Sequence, residues 1–225
     1  MKPIPLPEKA LKLGKNLIIA DLHLGYEISM AREGFYLPRV FQEVVESLKN
    51  LIEKEKPKRL IINGDLKHSF IPEWREREEL RAFFENINPL VNEIVLIKGN
   101  HDVGVGWVKK FGVDVLDELE VGEWKLVHGH KLVEGEKFII GHEHPAIRIR
   151  DEVGATIKTP AFLIGERLIV VPAFSPWAYG NDVFREVVSP FMHAIKEDFR
   201  VLVPLEEELL DFGRLSKLSE ILKII

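Results

Sequence analysis

Short apolar runs that stop abruptly at small, polar or charged residues recur along the chain, the pattern of buried strands that end in functional loops. Leu17 to Ala20 stops at Asp21, Leu60 to Ile62 stops at Asn63-Gly64-Asp65, and Ile94 to Ile97 leads into Gly99-Asn100-His101-Asp102. Trp124 to Val127 before His128-Gly129-His130, and Phe138 to Ile140 before Gly141-His142-Glu143-His144, repeat the pattern. Between the first three runs, Val40, Val44, Val45, Leu48, Leu51 and Ile52 form one helical face, and Leu80, Phe83, Phe84 and Ile87 form another. Alternating strand and helix predicts βαβ units and a largely parallel first sheet. After His144 the pattern changes to short strands with turns: Ala146 to Arg150, Thr156 to Lys158, Ala161 to Ile164, a Gly165-Glu166 turn, and Leu168 to Val171. These predict a second, mostly antiparallel sheet, so that two packed sheets flanked by helices make an α/β fold. In the tail, Arg200 to Pro204 reads as a strand, and Leu215, Leu218, Ile221 and Leu222 follow helical spacing.

Composition narrows the possibilities. The 225 residues are 46% hydrophobic, enough for one substantial core, and we expect a single domain over residues 1–225, with 199–225 as a strand and helix extension packed on it. The chain has no cysteine, so any metal must be held by nitrogen and oxygen ligands. A net charge of -5 argues against a general basic coat for nucleic acid. The prolines and charges of Met1 to Ala10 do not suit a signal peptide, and the longest uncharged run, Leu168 to Asn181, is broken by Pro172 and Pro176. A cytoplasmic protein without a membrane partner is expected.

Candidate chemistry lies in the strand-end loops, which hold seven of the eight histidines, all but His193. Asp21 and His23 stand two residues apart, as do His142 and His144, a spacing that puts both side chains on one side of an extended segment. Asp65 and Asn100 each follow a glycine, which permits close approach of backbone to an ion and its anionic substrate. A lone Asp-x-His or His-x-His is usually incidental. Here Asp-x-His, Gly-Asp, Gly-Asn-His-Asp, His-Gly-His and Gly-His-x-His follow one another, each at a strand end, and offer the mixed donors of a site for divalent cations.

From Asp21 to His144 this ordered set resembles the calcineurin-like metallophosphoesterase superfamily. The resemblance implies a four-layer α/β/β/α sandwich of two mixed sheets. It implies one metal bound by Asp21, His23, Asp65 and His144, with Asp65 bridging to a second held by Asn100, His128 and His142. It gives the ligand role to His128 rather than to its neighbour His130, which spacing alone leaves open. The expected cofactors are two divalent ions, Mn foremost, with Mg, Fe, Zn, Ni and Co as other candidates. Two such ions would neutralise phosphate oxygens and activate a shared water that bridges them. His101 is the expected catalytic residue, stabilising the transition state or protonating the leaving group, with Asp102 orienting its imidazole. His68 is assigned either a substrate contact or a hydrogen bond within its loop.

The substrate class follows from finer matches. Protein phosphatases of this superfamily carry Gly-Asp-x-x-Asp-Arg-Gly, whereas here the stretch reads Gly64-Asp65-Leu66-Lys67-His68, which disfavours that activity. Ala20-Asp21-Leu22-His23-Leu24-Gly25, Arg32-Glu33-Gly34 with Leu37-Pro38, Gly64-Asp65-x-x-His68-Ser69 and Val171-Pro172-Ala173-Phe174 resemble the archaeal and bacterial branch that includes DNA-ligase-associated repair endonucleases. A phosphodiesterase or nuclease is therefore the leading expectation. Arg148 and Arg150 are its candidate substrate contacts; Arg75, Arg77 and Arg81, interleaved with Glu73, Glu76, Glu78 and Glu79, read instead as a solvated helix face. A phosphatase or phosphodiesterase for nucleotides or other small molecules, favoured by narrow walls near Phe35, Trp74 or Trp177, and a non-catalytic scaffold are the alternatives.

Overall fold

The computed structural model describes residues 1–70, 73–150 and 156–222. A six-stranded sheet has the order β1 (Ile4–Leu6), β2 (Ala10–Leu13), β3 (Asn16–Ile19), β4 (Arg59–Asn63), β5 (Glu93–Ile97) and β6 (Val113–Leu116). β3 to β6 run parallel, while β1 and β2 add an antiparallel edge. Helices α1 (Tyr26–Arg32) and α2 (Phe41–Glu55) join β3 to β4, and α3 (Trp74–Ile87) lies between β4 and β5. The apolar runs are continuous because both faces of these strands are buried. Leu17, Ile19, Leu60, Ile62, Ile94 and Leu96 meet Val44, Leu48, Phe83 and Phe84 of the helices. Alternate residues Ile18, Ile61, Val95 and Ile97 face a second sheet.

That second sheet has seven strands, ordered β16 (Glu208–Arg214), β15 (Arg200–Leu205), β12 (Phe162–Ile164), β13 (Leu168–Val170), β9 (Phe138–Ile140), β8 (Trp124–Leu126) and β7 (Leu119–Val121). Leu126, Ile139, Phe162 and Ile169 face the first sheet. Phe138, Ile140, Leu163 and Val170 face outward onto Phe191 of α4 (Pro190–Ala194), with Leu215 and Leu218 of α5 (Leu215–Leu222) packed beside them. Helices, sheet, sheet and helices thus form the expected four layers, and both sheets are mixed.

Two features differ from the sequence reading. The segments after His144 do not all join the second sheet: β10 (Pro145–Arg150) and β11 (Thr156–Pro160) pair with each other and with β14 (Asn181–Asp182) in a separate three-stranded sheet. The left-handed backbone of His142 and His144, at φ 59 and 44, turns the chain out of the sheet after β9. The second sheet is mostly antiparallel, as expected, with β9 lying parallel to both β13 and β8. The proline-rich start forms β1, which Pro5 can occupy because an edge strand leaves one row of N–H positions unpaired. Among the described residues no helix is long and apolar enough to cross a membrane.

Phe162 is fully buried between the sheets. Phe162→Ala is expected to lower unfolding free energy by about 3–5 kcal/mol through lost burial and the cavity left behind, measured by denaturant titration.

Candidate metal centre

Asp21, His23, Asp65, His142 and His144 share an unusual backbone: each has positive φ, at 55, 47, 47, 59 and 44. Asp and His tolerate this left-handed region better than most side chains, yet it costs energy and persists only where surroundings enforce it. A parallel run of backbone hydrogen bonds supplies the enforcement: Asp21 N to Gly64 O, His23 N to Asp65 O, Leu24 N to Leu66 O and His68 N to Leu24 O, at 2.9–3.1 Å. Ser175 N and Phe174 N donate to the carbonyls of Asp21 and Ala20, fixing the first loop from the other side. The paired side chains therefore converge through consecutive left-handed turns. The extended geometry inferred from their two-residue spacing does not occur.

The loops bring the candidate ligands into two donor sets. Ligand atoms of Asp21, His23 and His144 lie within 4.8 Å of one another, as do those of Asp65, His128 and His142. Asn100 Oδ1 is 3.0 Å from His128 Nε2. The sets adjoin, since His23 Nε2 lies 3.8 Å and His128 Nε2 3.3 Å from Asp65 Oδ2. His128 Nδ1 faces the carbonyl of Asn63 at 3.3 Å, which leaves Nε2 for the centre. All seven residues singled out in the sequence as ligands are gathered here, and His130 stands beside His128 with ring centroids 5.3 Å apart.

This donor set fits divalent cations. Asp21 and Asp65 are 0% and 2% exposed, and among the described residues neither forms an ion pair with Lys or Arg. Buried carboxylates need a compensating positive charge. His23 Nε2 and His144 Nε2 face each other at 3.5 Å, so two ring nitrogens turn toward one volume. Burial lowers the pKa of His23 to about 3 and, with the charge of His128, that of His142 to about 4, which keeps both imidazoles neutral and able to coordinate. His128 moves oppositely, to about 9: burial opposes its charge, but the hydrogen bond to Asp65 and the charge of Asp21 outweigh it. Burial alone would raise Asp65, yet His128 holds it well below the usual carboxylate range.

Glycines make the assembly possible, for a reason other than the one read from sequence. A Cβ on Gly64 would collide with the His128 ring, and one on Gly99 with both the carboxylate and the backbone nitrogen of Asp65. A Cβ on Gly141 would lie 2.7 Å from Asp21 Oδ2. These positions admit ligand side chains from neighbouring loops, rather than backbone to an ion.

His101 and Asp102 part company. Asp102 is buried, and its carboxylate accepts from Gly99 N at 2.8 Å and Lys67 N at 3.3 Å. It ties its own loop to the loop after β4 and does not orient the His101 ring, correcting that expectation. Burial, reinforced by the charge of Asp65, raises its pKa to about 6. His101 Nδ1 instead meets the carbonyl of His68, and its ring lies against Phe70, with centroids 4.1 Å apart. Facing a carbonyl, Nδ1 must carry the proton, so Nε2 is the free end. His68 stacks on His101 and approaches His23, Nδ1 to Nδ1, at 3.4 Å. Its pKa is lowered to about 4 by burial and by the charge of His101. His23, Tyr26, His68, His101, His144 and Ala178 line a cavity of about 250 Å³.

The arginines stand apart. Arg148 is paired with Asp182 at 3.2 Å, and the Arg150 side chain lies outside the described residues. On α3, Arg75, Arg77 and Arg81 are exposed as expected, but Glu73 and Glu76 are buried, so that face is only partly solvated. Glu76 accepts from Ser69 N at 2.8 Å. Its spacing from Leu80 and Phe83, four and seven residues on, marks the inward face and could have revealed it. Lys67 was overlooked as well: buried, it donates to the carbonyls of Ser69 and His101, the latter at 2.6 Å. Glu143 accepts from Val188 N and Ser189 N at 2.9 and 2.6 Å, and Ser189 Oγ donates to Gly129 O, linking the His142 and His128 loops.

With this geometry in view, a family model described as calcineurin-like phosphoesterase matches residues 15–194, and the chain belongs to that family. It is a metal-dependent hydrolase of phosphate esters. A nuclease, MPE, from Pseudomonas putida shares its fold at 21% identity and a TM-score of 0.68, over 94% of this chain and 99% of that one. A protein of unknown function from Aquifex aeolicus matches more distantly, with a TM-score of 0.40 and 20% identity over 56% of this chain and 77% of that one. No curated protein matches the sequence.

Gly99→Ala is expected to keep the fold, by circular dichroism, yet to lose most bound metal by elemental analysis, because the added methyl displaces Asp65. Full metal content would contradict the packing argument.

Proposed function

We propose that the chain is a phosphodiesterase of the nuclease type that works with two divalent ions, Mn being the expected metal. Asp21, His23 and His144 would hold one ion, and Asn100, His128 and His142 the other, with Asp65 between them. Divalent ions held there supply charge neutralisation for phosphate oxygens and an activated water.

The observation that carries the diester reading is the wall of the 250 Å³ cavity, which consists of imidazoles, a tyrosine and an alanine without a Lys or Arg. A dianionic monoester ordinarily meets added cationic side chains, whereas a singly charged diester does not require them. The nuclease reading gains support from the shared fold with the Pseudomonas putida nuclease and from the motif resemblance around Asp21 and Asp65.

The chain's own groups divide the remaining work. The His68 carbonyl fixes the His101 ring by accepting its Nδ1 proton, leaving Nε2 to hold or deliver a proton at the leaving oxygen. Lys67 and Asp102 fix the backbone on either side of His101. Phe70 covers one ring face and excludes water from it. Tyr26, stacked on Trp177 at 6.3 Å, closes another side of the cavity. That aromatic wall is the observation favouring the second reading, a nucleotide or similar small molecule as substrate.

Metal-stripped protein reloaded with Mn should hydrolyse bis-(p-nitrophenyl) phosphate faster than p-nitrophenyl phosphate; the reverse preference would sink the diester reading. His101→Ala should retain both metals and lose about 10²–10⁴-fold in kcat. Asp65→Ala should lose metal itself.

A further inference from the structure

A second cavity, of about 260 Å³, touches the centre from another direction. Gly99 and His128 are in its wall, and Lys98, His130, Lys131 and Asp117 line it together with apolar and glycine positions such as Val127 and Gly129. It shares no lining residue with the cavity at His23 and His101. The two therefore differ in charge as well as position, since the first has no Lys or Arg and the second has two lysines.

The lysines are available. Lys98 Nζ is 2.9 Å from Asp117 Oδ1, but their side chains are 41% and 70% exposed, and such a pair contributes little. Lys98 can exchange this partner for another anion at small cost. The hydrogen bond from Lys98, joined by the charges of Lys98 and Lys131, holds the Asp117 carboxyl below its ordinary value, so both cations act on the same place. Asp102 also lines the cavity, but its oxygens are engaged by Gly99 N and Lys67 N. His130 Nδ1 is shielded from solvent and has no hydrogen-bond partner among the described residues, an arrangement that a ligand's polar group would relieve.

We propose that this pocket is a subsite for a flanking phosphate: it takes the phosphate next to the scissile one on a nucleic acid strand. The proposal rests on the phosphodiesterase reading and adds the requirement for a second phosphate. A substrate with a single phosphate would leave Lys98 and Lys131 unused. In a chain of net charge -5, two lysines converging beside the centre are a local exception to the surface. Asp117 keeps the pocket closed to weak anions and yields to a strand anchored at the metals.

The test compares wild type with the Lys98→Ala/Lys131→Ala double variant on two substrates, bis-(p-nitrophenyl) phosphate and a short single-stranded oligonucleotide. The double variant is expected to leave the small diester unchanged and to raise KM for the oligonucleotide about ten-fold, with kcat retained. Fluorescence anisotropy of a labelled oligonucleotide, read across a salt series, gives a measure independent of turnover. Affinity should fall, and the salt slope should shrink by about 1 per lysine. Asp117→Asn should shift affinity the other way. Equal loss on both substrates, unchanged oligonucleotide KM and affinity, or a wild type that neither binds nor cleaves oligonucleotide would overturn the subsite. A wild type silent on the small diester overturns the phosphodiesterase reading instead, and the anisotropy then still decides the pocket.

Discussion

Two carboxylates, Asp21 and Asp65, lie almost out of reach of water, and among the described residues their ion pairs are with imidazoles; the surrounding architecture serves that arrangement. Burying an anion is expensive unless positive charge is brought to it. Here His128 and His144, from the loops after β8 and β9, bring it, and the loops are held by backbone hydrogen bonds between adjacent strand ends. The left-handed turns at five of the candidate ligands concentrate strain at the point where the donors converge. Divalent ions held there would balance both carboxylates together.

Around this centre lies a tier of groups that fix loops to one another. Lys67 and Asp102 join the loop after β4 to the loop after β5, Glu76 secures Ser69 from α3, and Glu143 with Ser189 joins the loops after β8 and β9. The buried charges among them are hydrogen-bonded largely to backbone groups, which suits the work of holding geometry. His101 illustrates the result: its ring is set by a carbonyl of the loop after β4 and by Phe70, instead of by the acid that follows it in the chain.

The flanks of the centre give the proposed chemistry a direction. One side offers imidazole and aromatic surface with no Lys or Arg, and the other offers two lysines and an imidazole. A strand laid across the centre would place its scissile phosphate against the metals and its neighbour against the lysines, so specificity would come from the spacing of charges along the substrate. Arg148 lines neither of these two cavities and is paired with Asp182.

How much of this was legible in the sequence depended on the range over which the determining forces act. Strands ending in polar residues and the amphipathic faces of α2 and α3 follow from local patterning; the seven candidate ligands came from the strand-end motifs together with the family resemblance, which chose His128 over His130, and the structure gathers all seven. Partners distant in the chain were decided only in three dimensions. The chain's departure from the second sheet after His144 depends on left-handed turns that the loop contacts enforce. Gly64 and Gly99 are glycine because of side chains 64 and 34 residues away, His128 and Asp65. Asp102 seemed tied to His101 because it follows it, yet its oxygens meet backbone N–H groups instead. The sequence by itself determined which residue types stand at which strand ends, because burial and periodicity are written locally. The tertiary structure alone decided which of them face one another, because contact, burial of charge and steric room at glycine arise only when separate strand ends are brought together.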